Sequence, residues 1–87
     1  MGLDTVEILV HIEEEYDITI SDGDAYLLGE VGDLALYIVN SCEQNNGVLI
    51  ELEPVIDYLK QMLHREFGVP LEKINLKSHV VKDLGLD

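Results

Sequence analysis

Three stretches of this sequence carry apolar residues at three- and four-residue spacing. Each is too short to be a stable helix alone, so they can fold only by burying those stripes against one another. The first runs over residues 3–16. At 100° per residue, Asp4, Glu7, His11, Glu14 and Glu15 fall within an arc of about 100°. Leu3, Val6, Leu9, Val10, Ile12 and Tyr16 cover most of the other side, with Glu13 interrupting them. The second spans about Val31–Cys42, with Val31, Leu34, Ala35, Ile38 and Cys42 on its core face. The third opens at Pro54, a residue suited to a first helical turn. It carries Val55, Ile56, Leu59, Met62, Leu63 and Phe67, and Gly68 with Pro70 close it.

Between these stripes the chain is shorter in range and more polar. Asp17–Ile20 reads as an extended exit, because β-branched Ile18, Thr19 and Ile20 disfavour more helix. Ser21 is placed to cap a short helix over Asp22–Leu28, with Asp24 at the capping-box spacing and Gly29 ending it. Asn46-Gly47 marks a turn, and residues 43–53 read as a linker. Leu71–Asp87 reads as an irregular segment anchored by Leu71, Ile74, Leu76, Val80, Val81, Leu84 and Leu86. The fold class expected is all-α: one domain over residues 1–87, a small bundle of three main helices plus one short helix. An 87-residue chain has room for one such core.

Charge narrows the function. Residues 1–53 hold thirteen Asp or Glu and no Lys or Arg, while residues 54–87 hold five acids and five bases. The net charge of −13 therefore belongs to the first part. Phosphate recognition needs Lys and Arg to displace counterions, so nucleic acid is excluded as a partner and basic protein surfaces are favoured. The longest apolar run, Leu34–Val39, is six residues, far below the ~20 of a membrane span. Asp4 and Glu7 stand where a leader would be basic and then apolar, and the single Cys42 has no internal partner, so a reducing cytoplasm is expected. His11, His64 and His79 lack ligand spacing, so no metal site is expected. Paired carboxylates without a cleft argue against an enzyme.

Two stretches resemble the acyl carrier protein family. Leu3-Asp4-Thr5-Val6-Glu7-Ile8-Leu9, with Glu13 to Ala25 after it, is similar to the family's second helix and the acidic loop and short helix that follow. Val31-Gly32-Asp33 through Val39 resembles the start of its last helix. Val55 to Asp87 resembles its first helix, its long loop, and the closing Asp83-Leu84-Gly85-Leu86-Asp87. The order is exchanged. In the family, the Asp-Leu-Gly-x-Asp motif leads directly into a serine and the Leu-Asp-x-Val-Glu helix, whereas here that helix comes first. The pattern becomes continuous if the tail is joined to the head, which is a circular permutation. Residues 1–42 then correspond to the family's second to last helices, 43–53 to a joining linker, and 54–87 to its first helix and loop.

The resemblance implies a carrier scaffold for fatty-acid or polyketide-type biosynthesis that itself catalyses nothing. In the family the serine before the second helix carries 4′-phosphopantetheine, whose phosphate lies at the positive end of the helix dipole. Here the family's serine position falls between Asp87 and Leu3, and the nearest residue is Gly2, which offers no hydroxyl. Ser21, Ser41 and Ser78 stand elsewhere, so no cofactor is expected on this chain. Asp4, Glu7 and Glu14, with Glu13 close by, match the family's partner-recognition positions. The partners implied are basic surfaces of acyl-processing enzymes and of phosphopantetheinyl transferase. A carrier-like interaction or regulatory protein with no acyl-carrying role is the competing reading. A monomer is expected, with segment exchange through the linker as the route to a swapped dimer.

Overall fold

The computed structural model describes residues 3–86, apart from the Tyr26 side chain. Four helices follow in order: α1 (Leu3–Tyr16), α2 (Asp22–Leu27), α3 (Val31–Asn46) and α4 (Leu52–Phe67), with a single 3₁₀ turn at Leu71–Lys73. No strand occurs among the described residues; the one β-type pairing is an isolated antiparallel bridge between Glu30 and His79. The expected all-α bundle of three main helices and one short helix is therefore the observed one.

The core is one cluster. Ile8 and Ile12 of α1 meet Val31, Leu34, Ala35, Ile38 and Cys42 of α3 and Val55, Leu59, Met62 and Leu63 of α4. Ile18, Ile20, Ala25, Val69, Ile74, Val80 and Leu86 seal its edges. α4 lies mainly along α3, and α1 joins them through aromatic contacts. Tyr16 and Tyr58 pack edge to face at 5.3 Å, His11 meets Phe67 at 6.3 Å, and the Tyr58 hydroxyl donates to the His11 carbonyl at 3.2 Å. Cys42 is a buried small apolar residue, as its register with Ile38 implies.

Helix boundaries depart from the sequence reading at the linker. α3 runs past Cys42 to Asn46, because Gly47 adopts φ 66° and the Gly47 and Val48 amides return to the Glu43 and Cys42 carbonyls. That left-handed cap satisfies carbonyls that would otherwise end the helix earlier. α4 begins at Leu52, so Pro54 sits inside the first turn, where no intrahelical amide is needed. The connection shortens to residues 47–51. Asn46 has a further use. Its side-chain amide donates to the carbonyls of Tyr16 and Asp17, clamping the end of α1 to the end of α3.

The apolar arc of α1 is also rotated from the expected one. Ile8 and Ile12 are its buried residues, whereas Leu3, Val6 and Val10 are 80, 45 and 43% exposed. Two isoleucines four residues apart point the helix at the core, and the valines are left on its flank. In the tail, Ile74, Val80 and Leu86 are buried anchors and Leu84 is partly so. Leu71, Leu76 and Val81 are exposed, which corrects their expected role as anchors.

Candidate partner-recognition site

The outward face of α1 is set by what its inward face buries. With Ile8 and Ile12 in the core, Leu3, Val6, Val10, Glu7 and Glu14 turn to solvent on one side, and Glu15 is also exposed. Asp4 is half-buried on the first turn, a position favourable to a carboxylate at the helix's positive end. The face thus combines acids with a short apolar strip. Sequence reasoning assigned Leu3, Val6 and Val10 to the core, so it found the acids of this face and missed its apolar part. The signal that separates them is the Ile8–Ile12 pair, which centres the buried arc.

Glu13 stands apart from the other acids. It is half-buried, and its Oε2 accepts the Ile20 amide at 2.8 Å. Glu13 therefore fastens the loop after α1 to the helix. Asp17 turns that loop in the left-handed region at φ 54°, and the Ile18 amide returns to the Glu13 carbonyl at 3.3 Å. The Ser21 hydroxyl caps α2 by accepting the Asp24 amide at 3.2 Å, and the Tyr37 hydroxyl donates to Asp24 Oδ2 at 3.0 Å, tying α2 to α3. Burial and the Asp24 carboxylate push the Tyr37 phenol up. Burial, with Glu15 nearby, pushes Tyr16 up to about 12.

At the start of α1 the two halves of the chain meet. The Thr5 hydroxyl donates to the Leu86 carbonyl at 3.1 Å, although the residues are 81 apart in sequence. Leu86 is held in turn by its amide to the Val80 carbonyl at 2.8 Å, across a turn in which Gly85 takes φ 70°. Asp87 and Gly2, which flank the family's serine position when the tail is joined to the head, lie outside the described residues.

The serine hydroxyls have local structural roles or lie in the core. Ser21 is a helix cap, Ser41 is buried within α3, and the buried Ser78 hydroxyl donates to the Lys73 carbonyl and accepts the Asn75 amide. Thr5 is engaged by Leu86, and Gly2 has no side chain to modify. No group of three or more His, Cys, Asp or Glu gathers among the described residues. Nor is any helix there long and apolar enough to cross a membrane.

Comparison with known proteins points the same way as the motifs. A 44-residue stretch is 51% identical to the mitochondrial acyl carrier protein of Saccharomyces cerevisiae. It covers 51% of this chain and 35% of that relative, so the chain spans about a third of the protein it matches. No family model matches the chain, and no solved structure matches it significantly. The match supports an acyl-carrier-like helical protein.

Proposed function

We propose that this chain is an acyl carrier scaffold whose segments stand in circularly permuted order and whose phosphopantetheine-bearing serine is replaced by Gly2. The observation that carries the reading is the Thr5–Leu86 hydrogen bond. It sets the end of the Asp-Leu-Gly-x-Asp motif against the first turn of the Leu-Asp-Thr-Val-Glu helix, where a continuous carrier chain would run covalently from one to the other. A relative matched over only half of this chain is also what a linear comparison yields when two halves are exchanged.

In this reading the face of α1 is the working surface. Asp4, Glu7 and Glu14 steer basic surfaces of acyl-processing enzymes toward it, with Glu13 at its edge, while Leu3, Val6 and Val10 supply apolar area once the charges have met. The chain catalyses nothing itself. Without a hydroxyl before α1 it engages those partners but is not loaded, which also favours the second reading, a carrier-like regulatory protein that occupies carrier docking sites.

The test has two arms. Incubated with a phosphopantetheinyl transferase and coenzyme A, the chain keeps its mass. A rearranged chain in which Asp87 is joined through a serine to Leu3, and which opens within residues 47–51, gains one phosphopantetheine. Loading of the original chain overturns the missing-site claim, and failure of the folded, rejoined chain to load overturns the permutation. Binding to a carrier-dependent synthase, measured by surface plasmon resonance, is expected to fall about tenfold or more in a Glu7→Lys, Glu14→Lys variant.

A further inference from the structure

His79 lies outside the proposed partner face, and its ring organises the turn that brings the tail back to α1. Its Nδ1 lies 3.1 Å from the Val81 amide and 3.2 Å from the Lys82 amide. Both amides are donors, so Nδ1 is the acceptor and the ring's proton sits on Nε2. The same turn is bolted at five more points. The His79 amide donates to Asp83 Oδ2 at 2.8 Å, and the Asp83 and Leu84 amides return to the His79 carbonyl. The Val80 amide donates to the Gly29 carbonyl at 2.9 Å, and the Leu86 amide to the Val80 carbonyl. The ring itself presses on Gly29, where any Cβ would run into it. From Leu86 the chain of bonds ends on Thr5.

We propose that this turn is a proton-sensitive latch: protonation of His79 at Nδ1 releases residues 79–86, and with them the contact at the start of α1. Protonation turns Nδ1 into a donor facing two donors, so both amides lose their acceptor and the ring must rotate. Gly29 blocks one side of that rotation, so the strain passes to the Glu30–His79 bridge and the Val80–Gly29 bond. The charged groups on the segments that meet at the ring are Glu30 across the bridge and Lys82 and Asp83 within the turn. The other histidines are built differently. His64 Nδ1 faces the Val69 carbonyl at 2.9 Å and donates to it, so protonation preserves that bond, and His11 is an edge-on neighbour of Phe67. The inference stands on the geometry of the turn and is independent of the carrier reading.

Residue-resolved amide exchange at about pH 7.5 and about pH 5.5, corrected for intrinsic rates, tests it. In the wild-type chain, protection at Val81, Lys82 and Leu86 is expected to drop about tenfold or more at the lower pH, while amides of α3 and α4 keep theirs. His79→Asn places a carbonyl oxygen where Nδ1 stood and cannot be protonated there, so its protection is expected to be the same at both pH values. His79→Ala is expected to be unprotected at both, with far-ultraviolet circular dichroism verifying its helices. Unchanged wild-type protection while the His79 ring resonances titrate overturns the latch. So does an equal loss in His79→Asn, which would put the effect on Glu30 or Asp83. If His79→Ala does not fold, the wild-type and His79→Asn pair still decides.

Discussion

Removing the Glu13 carboxylate separates the acid that builds the fold from the acids proposed to meet partners. Glu13 Oε2 receives the buried Ile20 residue's amide at 2.8 Å. A hydrogen bond to a charged group contributes about 1.5–3 kcal/mol, and a half-buried position argues for the lower end. Glu13→Ala is therefore expected to cost about 1.5 kcal/mol. In a chain of this size that lowers Tm by roughly 6–12 °C. One favourable effect works against this. Deleting one negative charge from a chain of net charge −13 relieves repulsion. Glu13→Gln makes the same charge change and keeps an oxygen acceptor, so it is expected to lose less than about 0.7 kcal/mol, and the difference between the two variants isolates the bond. Glu7→Gln and Glu14→Gln, both on exposed carboxylates, are expected to change stability by no more than about 0.5 kcal/mol. Urea unfolding followed by circular dichroism measures all four. Equal stability of Glu13→Ala and Glu7→Gln would refute the assignment of Glu13 to the loop.

Four further outcomes follow from particular contacts. Thr5→Val keeps the shape of Thr5 but leaves the Leu86 carbonyl without its donor, so a loss of about 1 kcal/mol is expected by urea unfolding, and a Thr5→Ser variant should recover part of it. Asp17→Gly removes a non-glycine residue from φ 54° and an acid from the negative end of α1, so Tm should rise by several degrees, about 0.5–1 kcal/mol; a lower Tm would show that Asp17 has an unseen partner. Tyr16 is held neutral up to about 12 by burial and by Glu15, above the ordinary value near 10. The folded state therefore favours the neutral phenol, and the stability it contributes is present below about pH 10 and lost as pH rises toward about 12. Thermal melts along that range should fall less steeply in Tyr16→Phe. Finally, thirteen acids without a base in residues 1–53 repel one another, so Tm should rise from low salt to about 0.5 M, and a flat profile would show the repulsion to be small.

How much of this was legible depended on whether a signal was local. α1 was readable at both ends because its periodicity is complete and β-branched residues follow it, and the Ser21 cap because it is made within four residues. The core faces of α3 and α4 were readable for the same reason: Val31, Leu34, Ala35, Ile38 and Cys42, and Val55, Leu59, Met62 and Leu63, repeat at helical spacing and are all buried. What failed was non-local. Whether α3 stops at Cys42 or Asn46 depends on Gly47 entering the left-handed region and on Asn46 reaching back to α1. In α1 the apolar residues spread over too wide an arc to choose its centre, and only packing against α3 and α4 puts Ile8 inside and Val10 outside. The bonds of Glu13 to Ile20 and Thr5 to Leu86 have no sequence signature, since an acid in an acidic helix and a threonine on a first turn look like surface.

In the proposed permuted order, these non-local bonds share a purpose. A continuous carrier chain would hold its long loop against the second helix by a peptide bond at the motif. Here residues 79–86 are held by Thr5, by the Val80–Leu86 turn, and by His79 pressed against Gly29. Hydrogen bonds open far more readily than a covalent link, so the region around residues 79–86 is where this fold is expected to open first. Meanwhile the 47–51 connection joins α3 to α4, which already pack along each other's length. If the segments are permuted as proposed, the softest part of the molecule lies at the start of α1, beside the face proposed to meet its partners.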